Sequence, residues 1–125
     1  MTPEVTSALD EIKAAFPKAT IEVKEEGDAV VVLLHPVDPG GTYVQRETWV
    51  GFRITFQYPY SDVYPHFVRG DLTRADGADL GEGMSVTTFE NRAAVQISRR
   101  SNRLDPATDT ALIKLHKVLE WLRTR

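Results

Sequence analysis

The chain has 125 residues and a mass of 14.0 kDa, with 42% hydrophobic and 26% charged residues, proportions that fit one globular domain over residues 1–125 and exclude wholesale disorder and collagen-like or coiled-coil chains. The longest apolar run, Ala29 to Leu34, is too short to span a membrane, and the N-terminus lacks the pattern of a secretory signal. Cysteine is absent, which excludes disulfides, cysteine-rich zinc sites, iron–sulfur clusters and thiol nucleophiles, and fits a cytoplasmic location.

The first element is a helix. Thr2 can cap it, and Pro3 takes the first helical position, where a missing N–H costs nothing. Val5, Leu9, Ile12 and Phe16, with Ala8 and Ala15, recur at helical spacing, and Pro17 ends the run. Ala19 to Lys24 alternates apolar and charged residues, as a half-buried strand does. Glu26-Gly27-Asp28 supplies a turn, and Ala29 to Leu34 reads as a strand buried on both faces. After a loop over Pro36 to Gly41, extended segments are expected from Tyr43 through Thr48 and from Val50 through Gln57.

Eight of the 11 aromatic residues fall between Tyr43 and Phe67. The stretch Tyr58-Pro59-Tyr60-Ser61-Asp62-Val63-Tyr64-Pro65 cannot be a regular strand, because its prolines remove donors and constrain the residues before them. It predicts a rigid, aromatic-packed turn that can accommodate a cis Tyr-Pro bond. Asp71 to Gly83 reads as a loop, and Ser85 to Phe89 and Ala93 to Ser98 read as two short extended segments. A final helix is expected from an Asp105 cap and Pro106 start, with Ala111, Leu112, Leu115, Val118, Leu119 and Leu122 on its apolar face. The order predicts an α+β fold: an antiparallel four-stranded meander flanked by an N-terminal and a C-terminal helix.

Charge is spread unevenly. Residues 1–90 carry 7 Lys+Arg against 15 Asp+Glu, whereas residues 91–125 carry 8 against 3, so a net −3 combines −8 and +5. The basic part peaks at Ser98-Arg99-Arg100-Ser101-Asn102-Arg103, a patch suited to an acidic protein or another anion. Nucleic acid is disfavoured: the isoelectric point is about 5.6, and no aromatic residue separates Asn91 from Trp121. The three histidines lack ligand spacing, and Gly81-Glu82-Gly83 is too short to cradle a phosphate, so neither metal nor cofactor is expected. Among the turn aromatics, Tyr60 and Tyr64 become interface candidates if exposed.

The helix–meander–turn–helix order, with the run Phe52-Arg53-Ile54-Thr55-Phe56-Gln57-Tyr58-Pro59-Tyr60-Ser61-Asp62-Val63-Tyr64-Pro65, resembles the ubiquitin-conjugating-enzyme superfamily and its catalytically inactive RWD relatives. The tail from Ala94 to Leu122 looks like bacterial members found beside activating-enzyme-like and deubiquitinase-like genes. The resemblance implies a ubiquitin-like modifier and an activating-enzyme-like protein as partners. Its active members carry His-Pro-Asn and a thioester-forming cysteine, and this chain has neither. Counting back about ten residues from the expected helix start falls near Gln96, close to Ser98. Ser98 is then the candidate acyl acceptor, Asn91 the residue matching the motif's asparagine, and His66 the candidate base. Arg99, Arg100 and Arg103 would help bind or stabilise developing charge. Without cysteine, the resemblance implies either a serine oxyester carrier, a transferase, or a binding module that scaffolds the modifier or activating enzyme.

Overall fold

A computed structural model describes all residues 1–125 and gives an α+β architecture of two helices and one open antiparallel sheet. Helix α1 (Pro3–Ala15) starts as expected: the Thr2 hydroxyl accepts the Val5 N–H at 3.2 Å, satisfying one orphan donor of the first turn. Strands β1 (Thr20–Glu26), β2 (Ala29–Val37), β3 (Thr48–Thr55) and β4 (His66–Arg69) follow as a meander. A hairpin of β5 (Met84–Phe89) and β6 (Arg92–Ile97) completes the sheet, and α2 (Ala111–Arg123) closes the chain.

The sheet has six strands, not the four expected, in the order β1-β2-β3-β4-β6-β5. The two late extended segments are full strands, and β6 pairs with β4, which leaves β5 at the edge. The segment from Tyr43 is not a strand. Its one bridge pairs Tyr43 with Arg74, and the Tyr43 hydroxyl instead donates to the Leu122 carbonyl at 3.0 Å.

The second helix also begins later than expected. The Asp105 carboxylate accepts the Ala107 N–H at 3.0 Å and the Asp105 N–H donates to the Asp109 carboxylate at 2.8 Å, a local turn that mimics a cap. The true cap is Thr110, whose hydroxyl accepts the Ile113 N–H at 3.1 Å.

Both helices cover one face of the sheet. Val5 and Ile12 of α1 and Leu115 and Leu119 of α2 meet Val32, Phe52, Val95 and Ile97 in the main core. Each such side chain contributes about 1.5–3 kcal/mol by leaving water. The opposite face carries no helix and is roofed by aromatic side chains. Phe67 stacks on Phe89 at 4.5 Å, and Phe89 on Trp49 at 6.1 Å. Gly51 makes this possible, because a Cβ there would run into the Phe89 ring.

Candidate functional site

The prolyl turn between β3 and β4, the loop after β6 and the first turns of α2 meet at one end of the sheet. Tyr58 is buried in the turn, and its hydroxyl accepts the Ala111 N–H at 3.0 Å, tying the turn to the helix start. Asp62 is the hub of a second tie. It accepts the Ser101 N–H at 2.7 Å, the Ser101 hydroxyl at 2.9 Å and the Lys114 ammonium at 3.0 Å. Lys114 also donates to the Ser101 hydroxyl at 2.9 Å. Burial pushes the Asp62 carboxyl up, but the Ser101 N–H, the Lys114 ammonium and the Ser101 hydroxyl together hold it below its ordinary value. Lys114 is therefore a partnered cation, and the serine hydroxyl between them has no free base.

Above this clamp the loop presents its arginines. The Arg100 guanidinium carbon lies 4.1 Å from the Tyr64 ring centre, and Arg99 and Arg125 lie 4.6 and 4.4 Å from that of Trp121. Such stacking holds the planar groups in place without neutralising them. The arginines that form ion pairs are Arg53, Arg69 and Arg74; Arg99, Arg100, Arg103 and Arg125 have no carboxylate partner. A cleft of about 600 Å³ opens among Arg99, Arg100, Arg103, Lys117 and Trp121. A second, of about 350 Å³, lies beside Tyr64, Ser98, Arg99 and Arg100. Local charge and shape suit an anionic group.

Ser98, Arg99, Arg100 and Tyr64 thus come together. Ser98 is half-buried, its N–H donates to the Gly83 carbonyl at 2.8 Å, and its hydroxyl accepts from Gln96 at 3.1 Å. Asn91 is elsewhere. With Glu90 it forms the β5–β6 turn, both residues at positive φ (47° and 64°), as a two-residue hairpin requires. β6 separates it from Ser98 by roughly 20 Å at strand rise. His66 is fully buried against Phe52, with ring centres 5.1 Å apart, and neither ring nitrogen has a partner, so it makes no hydrogen bond to Ser98. Burial, reinforced by the Lys114 charge, pushes its pKa down to about 3. Tyr60 is 79% exposed at the tip of the prolyl turn.

The residues missed in the sequence are Asp62 and Lys114. Their one local signal is Lys114 itself, a cation on the apolar stripe between Ala111 and Leu115. A lysine there is buried and needs a partner.

No protein-family model matches the chain, and neither a curated protein nor a solved structure matches it. No helix is long and apolar enough to cross a membrane.

Proposed function

We propose that the chain is a non-catalytic binding module of the ubiquitin-conjugating/RWD type that docks an acidic surface of a ubiquitin-like modifier or of an activating-enzyme-like protein. The observation that carries this reading is the set of unpaired arginines, Arg99, Arg100 and Arg103, displayed on a loop that the Asp62–Lys114–Ser101 clamp holds in place. The pathway itself rests on the resemblance of the prolyl turn and the element order. Against chemistry at Ser98 stand the distant Asn91 and the buried, unpartnered His66. A serine hydroxyl is a weak nucleophile without an adjacent base or strong electrostatic help.

The carrier reading keeps one favourable observation: Ser98 borders an open cleft beside two guanidiniums. One experiment separates the two. The chain is titrated calorimetrically against a ubiquitin-like modifier and an activating-enzyme-like protein from the same genome, then incubated with both and ATP. A complex weakened at least tenfold by Arg99→Glu with Arg100→Glu, and unchanged by Ser98→Ala, is the expected result. A hydroxylamine-sensitive adduct that disappears in Ser98→Ala would replace this reading with an oxyester carrier. The absence of a complex with either protein would remove the pathway.

A further inference from the structure

The two edges of the sheet differ in chemistry. β1 reads Thr-Ile-Glu-Val-Lys-Glu-Glu, so Glu22, Lys24, Glu25 and Glu26 line an edge that repels a further strand. β5 reads Met-Ser-Val-Thr-Thr-Phe and carries no charge and no proline. Val86, at its centre, is 78% exposed. An edge of this kind is a template for another strand.

The register shows which backbone groups are free. The two-residue turn makes Phe89 and Arg92 a hydrogen-bonded pair, and the Ser98 N–H on the Gly83 carbonyl fixes the same parity at the other end. Ser85, Thr87 and Phe89 therefore exchange their bonds with β6. Met84, Val86 and Thr88 point their N–H and C=O groups away from it, at the open edge.

Two of the unpaired arginines, Arg99 and Arg125, lie at the N-terminal end of β5. A Cβ on Gly83 would sit 3.1 Å from the Trp121 indole and 3.3 Å from an Arg99 guanidinium nitrogen, and one on Gly81 would sit 3.3 Å from Arg125. Arg125 donates to the Glu82 carbonyl at 3.2 Å, while the Glu82 carboxylate makes no ion pair. An antiparallel strand added to β5 would run from the Phe89 end to the Met84 end and finish at Arg99 and Arg125. A chain terminus there is a carboxylate. A parallel strand would bring an ammonium to the same cations.

We infer that the β5 edge binds the extended, uncharged C-terminal tail of a partner protein as an antiparallel strand, with its terminal carboxylate held by Arg99 and Arg125. The inference deepens the binding-module reading, on which it rests, by naming the partner's chemistry. A second copy of the chain fits less well. Its antiparallel β5 would bring the Glu90–Arg92 tip to these arginines, and Glu90 is already engaged by Arg53 at 2.6 Å and Lys24 at 3.7 Å. The tip then offers Arg92, a like charge.

The test uses a fluorescent Ser-Val-Thr-Val-Thr-Val peptide, as the free acid and as the C-terminal amide, titrated by anisotropy against the full chain to about 1 mM, a range that detects even weak affinity. The free acid should bind at least tenfold more tightly than the amide, and Arg99→Glu with Arg125→Glu should erase that difference. Val86→Pro removes an outward N–H without touching a β6 bond, and should abolish binding of both peptides. Should that variant unfold by circular dichroism, Val86→Lys serves instead, since it charges the edge at an exposed position. Equal affinity for acid and amide would overturn the inference, as would binding that survives both Val86 variants, or no binding at all. A dimer in sedimentation that Val86→Lys dissociates would assign the edge to self-association instead. The probe is synthetic, so failure here is read separately from failure of the pathway complex.

Discussion

Lys114 and the loop arginines lie at the same end of the sheet and are used in opposite ways. Lys114, with a side chain only 10% exposed, gives its charge wholly to Asp62 and Ser101. Arg99, Arg100 and Arg125 rest on aromatic rings and keep their charge free. The first arrangement joins three chain segments. The second fixes orientation but leaves binding capacity. A cation answered from within its own chain builds structure, and one set on a ring and left unanswered is available to a partner.

The largest effect should come from breaking the internal pair. Asp62→Ala leaves the Lys114 ammonium and the Ser101 N–H without their acceptor and should cost about 3 kcal/mol in urea unfolding. Replacing the pair together, as Asp62→Leu with Lys114→Met, should recover most of that loss. A cost for Asp62→Ala no larger than that of the surface arginines would break the contrast.

The next effect is a pH dependence set beneath the clamp. The folded value of His66, about 3, lies below its ordinary 6.5, so the unfolded chain takes up the proton first as pH falls. Stability is complete above pH 6.5 and declines from there toward pH 3, by about 2 kcal/mol between pH 7 and pH 5. His66→Phe should flatten that slope and cost little at pH 7, since both buried nitrogens lack partners. A slope unchanged in the variant would place the titration elsewhere. Asp62 acts in a lower window, because its depressed carboxyl loses its contribution only as pH falls through the carboxylate range.

The smallest effect belongs to the arginines. Arg99→Glu with Arg100→Glu should change stability by no more than about 0.5 kcal/mol in the same unfolding assay, while weakening the proposed complex. A loss above about 1 kcal/mol would mean that stacking on Trp121 and Tyr64 is structural.

Local grammar made parts of this legible from sequence. Thr2-Pro3 and Pro17 bracket α1, and the Pro59 and Pro65 turn was evident because proline cannot continue a ladder. Asp105-Pro106 has the same grammar as a helix start, yet an Asx turn satisfies it five residues before the Thr110 cap. Tyr43 has strand-like neighbours, but its hydroxyl and its burial belong to α2. Non-local pairing left no local trace. Nothing in Arg92–Ile97 announces that it lies beside β4 rather than at the edge. The clamp was hidden for the same reason: Asp62 meets Ser101 across 39 residues and Lys114 across 52. The resemblance put Asn91 and Ser98 in one site, although the extended segment read from Ala93 to Ser98 already lies between them, and β6 holds them at its opposite ends.

The strand order has a consequence in time. The meander β1–β4 and the β5–β6 hairpin each pair neighbours in sequence, so each can form from short-range contacts. They join the same sheet at one seam, His66 to Arg69 against Ala94 to Ile97. At its nearest pair, Arg69 with Ala94, this seam joins residues farther apart in sequence than the nearest pair of any other strand pairing, so it closes the longest loop of the sheet. Pairing β6 with β4 sets the end of β6 beside the start of β4, and that is what gives the loop after β6 its address next to the prolyl turn.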